Sequence, residues 1–354
     1  MAKTRNAITV EEAERYLAQN RELARALGVD GVLDVELHPL GQGEHNVNFW
    51  FGAPDMGAGA GERNVLRINV APQPFHKDQV GYEFNALSLL APSGRVPLPL
   101  YVQRAQECPL GHGVIVERFC EGRELDFDAL TSRDLDCVAQ ILADVHAVCV
   151  DADCGLHAQT DPARDLFDEC LARFDAYKRS GFEDARLTRW AERFIARAQE
   201  LLDVPFAQAD RMHAINTEPL ASHFLLPDSQ GGVAEMPCAL LGYFVDWERP
   251  ILGEVAQDVA YFVSPTSTFW DSERLFTDDD SADFIERYWE AVDGRFARGS
   301  FDARFETYLA LTKLRSITWC CKALPAYAKR EGHTTGKTAA KLPIYLSDEF
   351  LSQL

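Results

Sequence analysis

Nowhere in this sequence does an apolar run approach the roughly 20 residues that a membrane-spanning helix requires. The opening stretch, Met1 to Ala18, turns polar and helical at once and lacks the apolar core of a secretion signal, so the expected compartment is the cytosol. Cys-x-x-Cys spacing is missing: the 9 cysteines are odd in number and scattered. That argues against a disulfide framework and predicts reduced, mostly buried thiols, with a reactive or zinc-binding role as the remoter alternative. Positive charge is also scarce. Lys and Arg number 35 against 55 Asp and Glu, a formal net charge of −20. Such a field repels phosphate backbones and anionic bilayers, so neither nucleic acid nor membrane is expected as a partner, whereas a cationic small molecule would suit. Internal repeats and low-complexity linkers are absent.

What is present is ordinary globular material. The chain has 354 residues, 47% hydrophobic and 25% charged, enough for one large or two modest cores. Apolar spacing predicts a helix from Val10 to Leu27, stopped by Gly28. Alternating segments around Val35–Leu37, Asn46–Gly52 and Asn64–Val70, separated by Gly-bearing turns and a Gly/Ala stretch at Gly57–Gly61, predict antiparallel strands. A helix over Gln79–Leu90 precedes strands near Tyr101–Gln103 and Val114–Phe119. Helical periodicity then dominates at Leu135–His146, Leu166–Tyr177, Leu187–Leu202, Phe284–Val292 and Phe305–Lys329, with one β-like interruption between Ile215 and Asp246. A small β-rich part, residues 1–117, and a larger helical part, residues 118–354, predict an α+β protein of two lobes, with the ligand in the crevice between them.

Five segments could line that crevice. Gly41-Gln42-Gly43-Glu44-His45-Asn46 joins two strands; its glycines would let backbone N–H groups approach phosphate, or it is simply a hairpin turn. Arg67, in Val65-Leu66-Arg67-Ile68, is either a solvated strand residue or a bidentate phosphate clamp. Glu83 lies 16 positions later on the predicted helix, as an exposed charge or as the partner that holds Arg67. Val114–Phe119 is an apolar strand whose backbone at Glu117 and Phe119 could bond an adenine edge. Last, Asn216-Thr217-Glu218 opens a polar loop that reaches His223. It is followed, 28 residues after Glu218, by an apolar strand ending in Asp246-Trp247-Glu248, where a carboxylate would meet a phosphate-bridging Mg²⁺. Asp258 reads as an N-cap or a loop brace.

In this order, from about Leu40 to Ala260 and again near Leu314–Trp319, the segments resemble the aminoglycoside phosphotransferase family, which shares a two-lobed protein-kinase-like fold with choline kinases and fructosamine kinases. The resemblance implies a small antiparallel N-terminal lobe that binds ATP and a larger helical C-terminal lobe that carries the catalytic loop and acceptor site. Gly41, Gly43 and Asn46 would cradle phosphates, Arg67 would clamp them, and Glu83 would orient Arg67. Glu117 and Phe119 would form the hinge, and Asp246 would hold Mg²⁺. The family's catalytic loop reads H-G-D-x-x-x-x-N; here Asn216, Glu218 and His223 stand at its three functional positions. Glu218 could still accept the acceptor's proton, with its carboxylate displaced by about an ångström. His223 at a metal position offers nitrogen to an ion that prefers oxygen. The implied activity is ATP-dependent phosphorylation of a hydroxyl on a small molecule; the alternative is a pseudokinase that binds nucleotide without transfer.

Two further motifs stand apart. Gly332–Thr338 has P-loop-like character, but only three residues separate its glycines, and it reads as a solvated basic loop. Asp278–Asp280 reads as a solvated helix start. Alternatively it could join Trp247, Phe269 and Trp270 in a pocket that attracts a cation, although those aromatics fit a core equally well.

Overall fold

The computed structural model describes residues 8–42, 45–52, 62–71, 77–204, 211–227, 242–329 and 336–354. Gly43 and Glu44 of the glycine turn, the Gly57–Gly61 stretch, the apolar run Ala239–Leu241 and the segment His333–Thr335 lie outside the described residues.

Thr9 and Glu12 form a reciprocal capping box that starts α1 (Val10–Gln19). The predicted single helix to Leu27 is broken at Asn20, whose side chain accepts from the Leu23 N–H and opens α2 (Arg21–Ala26). The periodicity runs on across the break because both helices bury onto the same core. That core joins Tyr16, Leu17 and Leu23 to Phe49, Phe51, Leu66, Ile68, Val114 and Val116 of a sheet. The sheet comprises β1 (His38–Gln42), β2 (Asn46–Gly52), β3 (Arg63–Asn69), β4 (Pro99–Gln103) and β5 (Gly113–Arg118). It is antiparallel, in the order β1-β2-β3-β5-β4. Period-two alternation sends Leu66 and Ile68 of β3 into this core, which leaves Arg67 on the opposite face. On that side lies α3 (Gln79–Leu90), capped by Asp78, with Glu83 buried.

After the short β6 (Arg123–Glu124) the chain is mostly helical. It runs through α4 (Ser132–His146), β7 (His157–Ala158), α5 (Pro162–Lys178), α6 (Ala185–Leu202), β8 (His213–Ile215), β9 (Phe224–Leu226), β10 (Tyr243–Phe244) and β11 (Ile251–Gly253). It ends with α7 (Val255–Val263), α8 (Pro265–Asp271), α9 (Asp278–Val292), α10 (Phe301–Lys329), α11 (Gly336–Tyr345) and α12 (Asp348–Leu351). The long α10 packs against α5, α6 and α7, and α4 packs against α9. Two three-stranded sheets, β10-β9-β6 and β7-β11-β8, carry the loops of interest. Their close approach requires glycine. A Cβ on Gly242 (φ 106) would come within 2.1 Å of the Leu225 carbonyl oxygen, and one on Gly122 (φ 152) within 2.8 Å of that of Leu226.

The expected small antiparallel sheet and larger helical remainder are therefore both present. Asp278–Asp280 form the first turn of α9, where Thr277 and Asp280 close a capping box, so the helix-start reading holds. Trp247 is buried and donates to the Phe244 carbonyl at 2.8 Å. Phe269 packs on Tyr345 and Phe350, and Trp270 on Trp319 and Tyr345. Trp247 and Phe269 are buried and Trp270 half-buried in this packing, and the cation over Phe269 is the protein's own Lys341, its Nζ 3.8 Å from the ring centroid. The eight described cysteines are all free, five of them buried. No described helix is long and apolar enough to cross a membrane.

Candidate active site

Arg67, Glu83 and Asp246 come from a strand, a helix and a loop far apart in sequence, and they meet. Arg67 Nε lies 3.3 Å from Glu83 Oε2, and its Nη2 lies 3.0 Å from Asp246 Oδ1 and 2.9 Å from Glu248 Oε1. Gln79, one turn before Glu83, donates to Glu83 Oε1 at 2.8 Å and to the Glu248 carbonyl at 2.7 Å. Tyr82 on the same helix donates to the Pro250 carbonyl. Helix α3 is thereby tied to the segment that follows Asp246. Glu248 and Gln79 carry no motif signal of their own; the only hint is their spacing, two residues beyond Asp246 and four before Glu83.

This half of the site is rich in acid. Burial pushes Glu83 up to about 8 against the pull of Arg67, with Glu248 adding to the rise. Burial likewise raises Glu117 to about 7, Arg67 opposing and Asp246 reinforcing. Asp246 goes the other way: burial is outweighed by Arg67 and His223, which hold its carboxyl below the usual range. With Glu83 keeping its proton near neutral pH, Arg67 faces Asp246 and Glu248 together, and the balance stays negative. The donor set fits one Mg²⁺, which takes one or two carboxylates and completes its shell with phosphate oxygens and water. Among the described residues no group of three or more His, Cys, Asp or Glu is placed to hold a metal.

The catalytic-loop segment lies beside it. Asp258, inside α7, accepts from the Asn216 N–H through Oδ2 and from the Thr217 N–H through Oδ1, both at 2.8 Å. It is a loop brace and not an N-cap, since Glu254 occupies that position. Asn216 is buried; its Nδ2 donates to the Asp246 carbonyl at 2.9 Å and its Oδ1 accepts from the Glu218 N–H at 3.1 Å. Expected as catalytic, Asn216 is instead a positioning residue, because both polar ends are engaged inside the protein. Asp246 and Thr217 have φ of 62° and 77°, left-handed conformations that place the two ends of this link in sparsely populated backbone. His223 Nε2 lies 3.5 Å from Asp246 Oδ2, and its buried Nδ1 has no hydrogen-bond partner among the described residues. Its imidazole offers nitrogen to Mg²⁺, an ion that prefers oxygen.

Glu218 is ion-paired with Arg315 of α10 and lies 3.6 Å from Arg249. Burial would raise its pKa, but Arg315, Arg249 and Arg173 outweigh that and lower it. The carboxylate is therefore ionised and firmly held, with 36% of its side chain still exposed.

Other predicted residues have different roles. Asn46 is buried, donates to Glu248 and accepts from Asn69 Nδ2 at 3.0 Å. Its side chain is a strut beneath Glu248. Gly41 sits in β1 opposite Asn48, and Gly43 is outside the described residues, so the cradle reading rests on the sequence. At the hinge, two backbone N–H groups are taken up within the sheet. The Phe119 N–H donates to the Arg63 carbonyl at 2.9 Å and the Arg118 N–H to that of Leu98 at 2.8 Å. The Phe119 ring instead lies 4.1 Å from the Arg63 guanidinium. Glu117 contributes charge near Arg67.

Solved structures share this architecture. A protein from Ralstonia eutropha assigned as an aminoglycoside phosphotransferase superposes with a TM-score of 0.66 at 16% identity, covering 98% of this chain and 99% of that one. The ethanolamine kinase of Plasmodium vivax gives 0.60 at 11% identity, covering 99% and 98%. Spectinomycin phosphotransferase, solved with ADP and spectinomycin, gives 0.57 at 11% identity, covering 98% and 94%. The chain has the fold of these phosphotransferases. No family model and no curated protein matches it by sequence. The fold therefore carries the two-lobed expectation, while the chemistry must be argued from the residues.

Proposed function

We propose that the protein is an ATP-dependent phosphotransferase acting on a hydroxyl of a small molecule. One observation carries this reading: a single guanidinium, Arg67, lies 3.3 Å from Glu83 and 3.0 Å from Asp246. A strand cation, a helix glutamate and a loop aspartate have little reason to converge in this way unless phosphate and metal are handled there. The ADP bound to spectinomycin phosphotransferase supports the same reading.

In this reading Arg67 donates to phosphate oxygens, and Glu83 and Gln79 fix its orientation. Asp246, with Glu248 beside it, holds Mg²⁺. Mg-ATP, when bound, supplies the phosphoryl group and the charge neutralisation. Glu218 accepts the hydrogen bond and then the proton of the acceptor hydroxyl. Arg315 weakens it as a base, which is tolerable because phosphoryl transfer depends mainly on positioning and electrostatics. Asp258 and Asn216 keep the loop in register with Asp246. ATP as co-substrate makes the cytosol the compartment this reading requires, with no role for nucleic acid or membrane.

A pseudokinase is the second reading, favoured by the clamping of Glu218 by Arg315 and by the engaged N–H groups at the hinge. A phosphotransfer assay with Mg-ATP over a panel of alcohols separates the two. The proposal expects turnover that falls about 10²-fold or more in Glu218→Gln; no turnover, or turnover indifferent to that change, favours the second reading.

A further inference from the structure

Helix α3 supplies Glu83 to the sheet side of the site, yet its other polar residues reach across to the larger lobe. Gln79, Tyr82 and Asn85 recur every three residues, which keeps them on one side of the helix over about 9 Å of its length. Each donates to a main-chain carbonyl of that lobe: Gln79 to Glu248 at 2.7 Å, Tyr82 to Pro250, and Asn85 to Cys154 at 2.9 Å. Main-chain acceptors cannot swing away as side chains do. The Tyr82 hydroxyl also accepts from the His157 N–H at 3.0 Å, so it is used as donor and acceptor at once. Burial raises its pKa against the His157 N–H, so the hydroxyl keeps its proton. Pro250 precedes β11 and His157 opens β7, and Ile251 and His157 are partners in the parallel pairing of those strands. The hydroxyl therefore sits at the head of the β7-β11-β8 sheet, whose strand β8 leads into Asn216. Asn85 approaches closely because residue 155 is glycine: a Cβ there would lie 3.1 Å from Asn85 Nδ2, tighter than an ordinary contact.

A metal-bound polyphosphate must be met from both lobes, by Arg67 of β3 and by Asp246 and Glu248. Mg²⁺ demands near-ideal octahedral geometry at about 2.0–2.1 Å, so slack between the lobes would cost affinity that a preset spacing retains. We infer that α3 is a fixed strut between the lobes and that Tyr82 is a positioning residue, setting the distance between the Arg67–Glu83 pair and the Asp246–Glu248 pair. This inference rests on the phosphotransferase reading. Tyr82 acts through Glu83, its neighbour on the helix, and through Pro250, two residues beyond Glu248.

Calorimetric titration of the full chain with ADP, with and without Mg²⁺, tests it. In wild type Mg²⁺ should tighten ADP at least about tenfold. Tyr82→Phe keeps the ring and its packing but loses the bonds to Pro250 and His157. There the gain from Mg²⁺ should fall to about threefold or less, with metal-free ADP affinity unchanged within about twofold. Asn85→Ala, nearly one turn further along, should lower the gain in the same direction by a smaller factor. Amide hydrogen exchange gives a readout independent of nucleotide: the His157 N–H should exchange at least about tenfold faster in Tyr82→Phe, while amides of α10 keep their rates. An undiminished Mg²⁺ gain in Tyr82→Phe, an equal loss of ADP affinity with and without metal, or a His157 amide that exchanges alike in both proteins overturns the inference and spares the phosphotransferase reading. No saturable ADP binding by wild type defeats that reading and the inference with it.

Discussion

The Thr217 N–H donates to Asp258 Oδ1 across 2.8 Å while Thr217 itself sits at φ 77°. A β-branched residue in the left-handed region is strained by roughly 1–2 kcal/mol, and the brace explains how it is kept there. Asp258 also takes the Asn216 N–H, and Arg315 donates to the Thr217 carbonyl at 3.2 Å. The Thr217 conformation follows from contacts on both sides.

Asp258→Ala leaves two buried N–H groups without a partner, each costing about 1–3 kcal/mol. Denaturant unfolding should show a loss of roughly 2–6 kcal/mol. Thr217→Gly should change stability by less than about 1 kcal/mol, since relief of strain offsets the extra chain entropy. A loss of several kcal/mol in Thr217→Gly would show that the residue is not strained.

Arg315 holds Glu218 ionised against burial. In Arg315→Met burial is left to dominate, so the acid limb of the rate against pH should move to higher pH by about 1 unit or more. An unmoved limb would mean that a different group controls it.

Glu83 is raised to about 8 from an ordinary 4.5. The folded protein keeps this proton longer than the unfolded chain does. The associated stability is thus complete below about pH 4.5 and is lost as pH rises through about 8. Glu83→Gln should flatten the fall in melting temperature between about pH 4.5 and 8; a decline as steep as that of wild type over that range would contradict the assignment.

His213 behaves in the opposite sense. Burial lowers it to about 4 from 6.5, despite its bond to the His146 carbonyl. Its contribution is complete above about pH 6.5 and disappears as pH falls through about 4. A shift of this size corresponds to about 3 kcal/mol at most. His213→Gln should remove part of the acid-side slope of stability, measured by urea unfolding at several pH values.

Much of the frame was legible in the sequence. The limits of β2 and α3 follow from apolar periodicity, and Arg67, Glu83 and Asp246 could be picked out by order and setting. Strand β1 begins at His38, three residues later than the Val35–Leu37 pattern suggests. The Leu37 N–H donates to the Glu14 side chain and so does not pair with the sheet. The roles of Asn46 and Phe119 were not legible, since each depends on a partner more than 50 positions away: Glu248 for Asn46 and Arg63 for Phe119. The pairing of Glu218 with Arg315 was hidden for the same reason: the two lie 97 positions apart, and nothing local distinguishes Arg315 from the other arginines of the chain.

The most direct test of the account is whether Arg67 and Asp246 act together on a metal-bound polyphosphate. Calorimetric titration with ADP should show saturable binding that weakens at least about tenfold when Mg²⁺ is chelated, and by a similar factor in Asp246→Asn with Mg²⁺ present. Binding of equal strength in all three conditions, or no saturable binding in any, would contradict it.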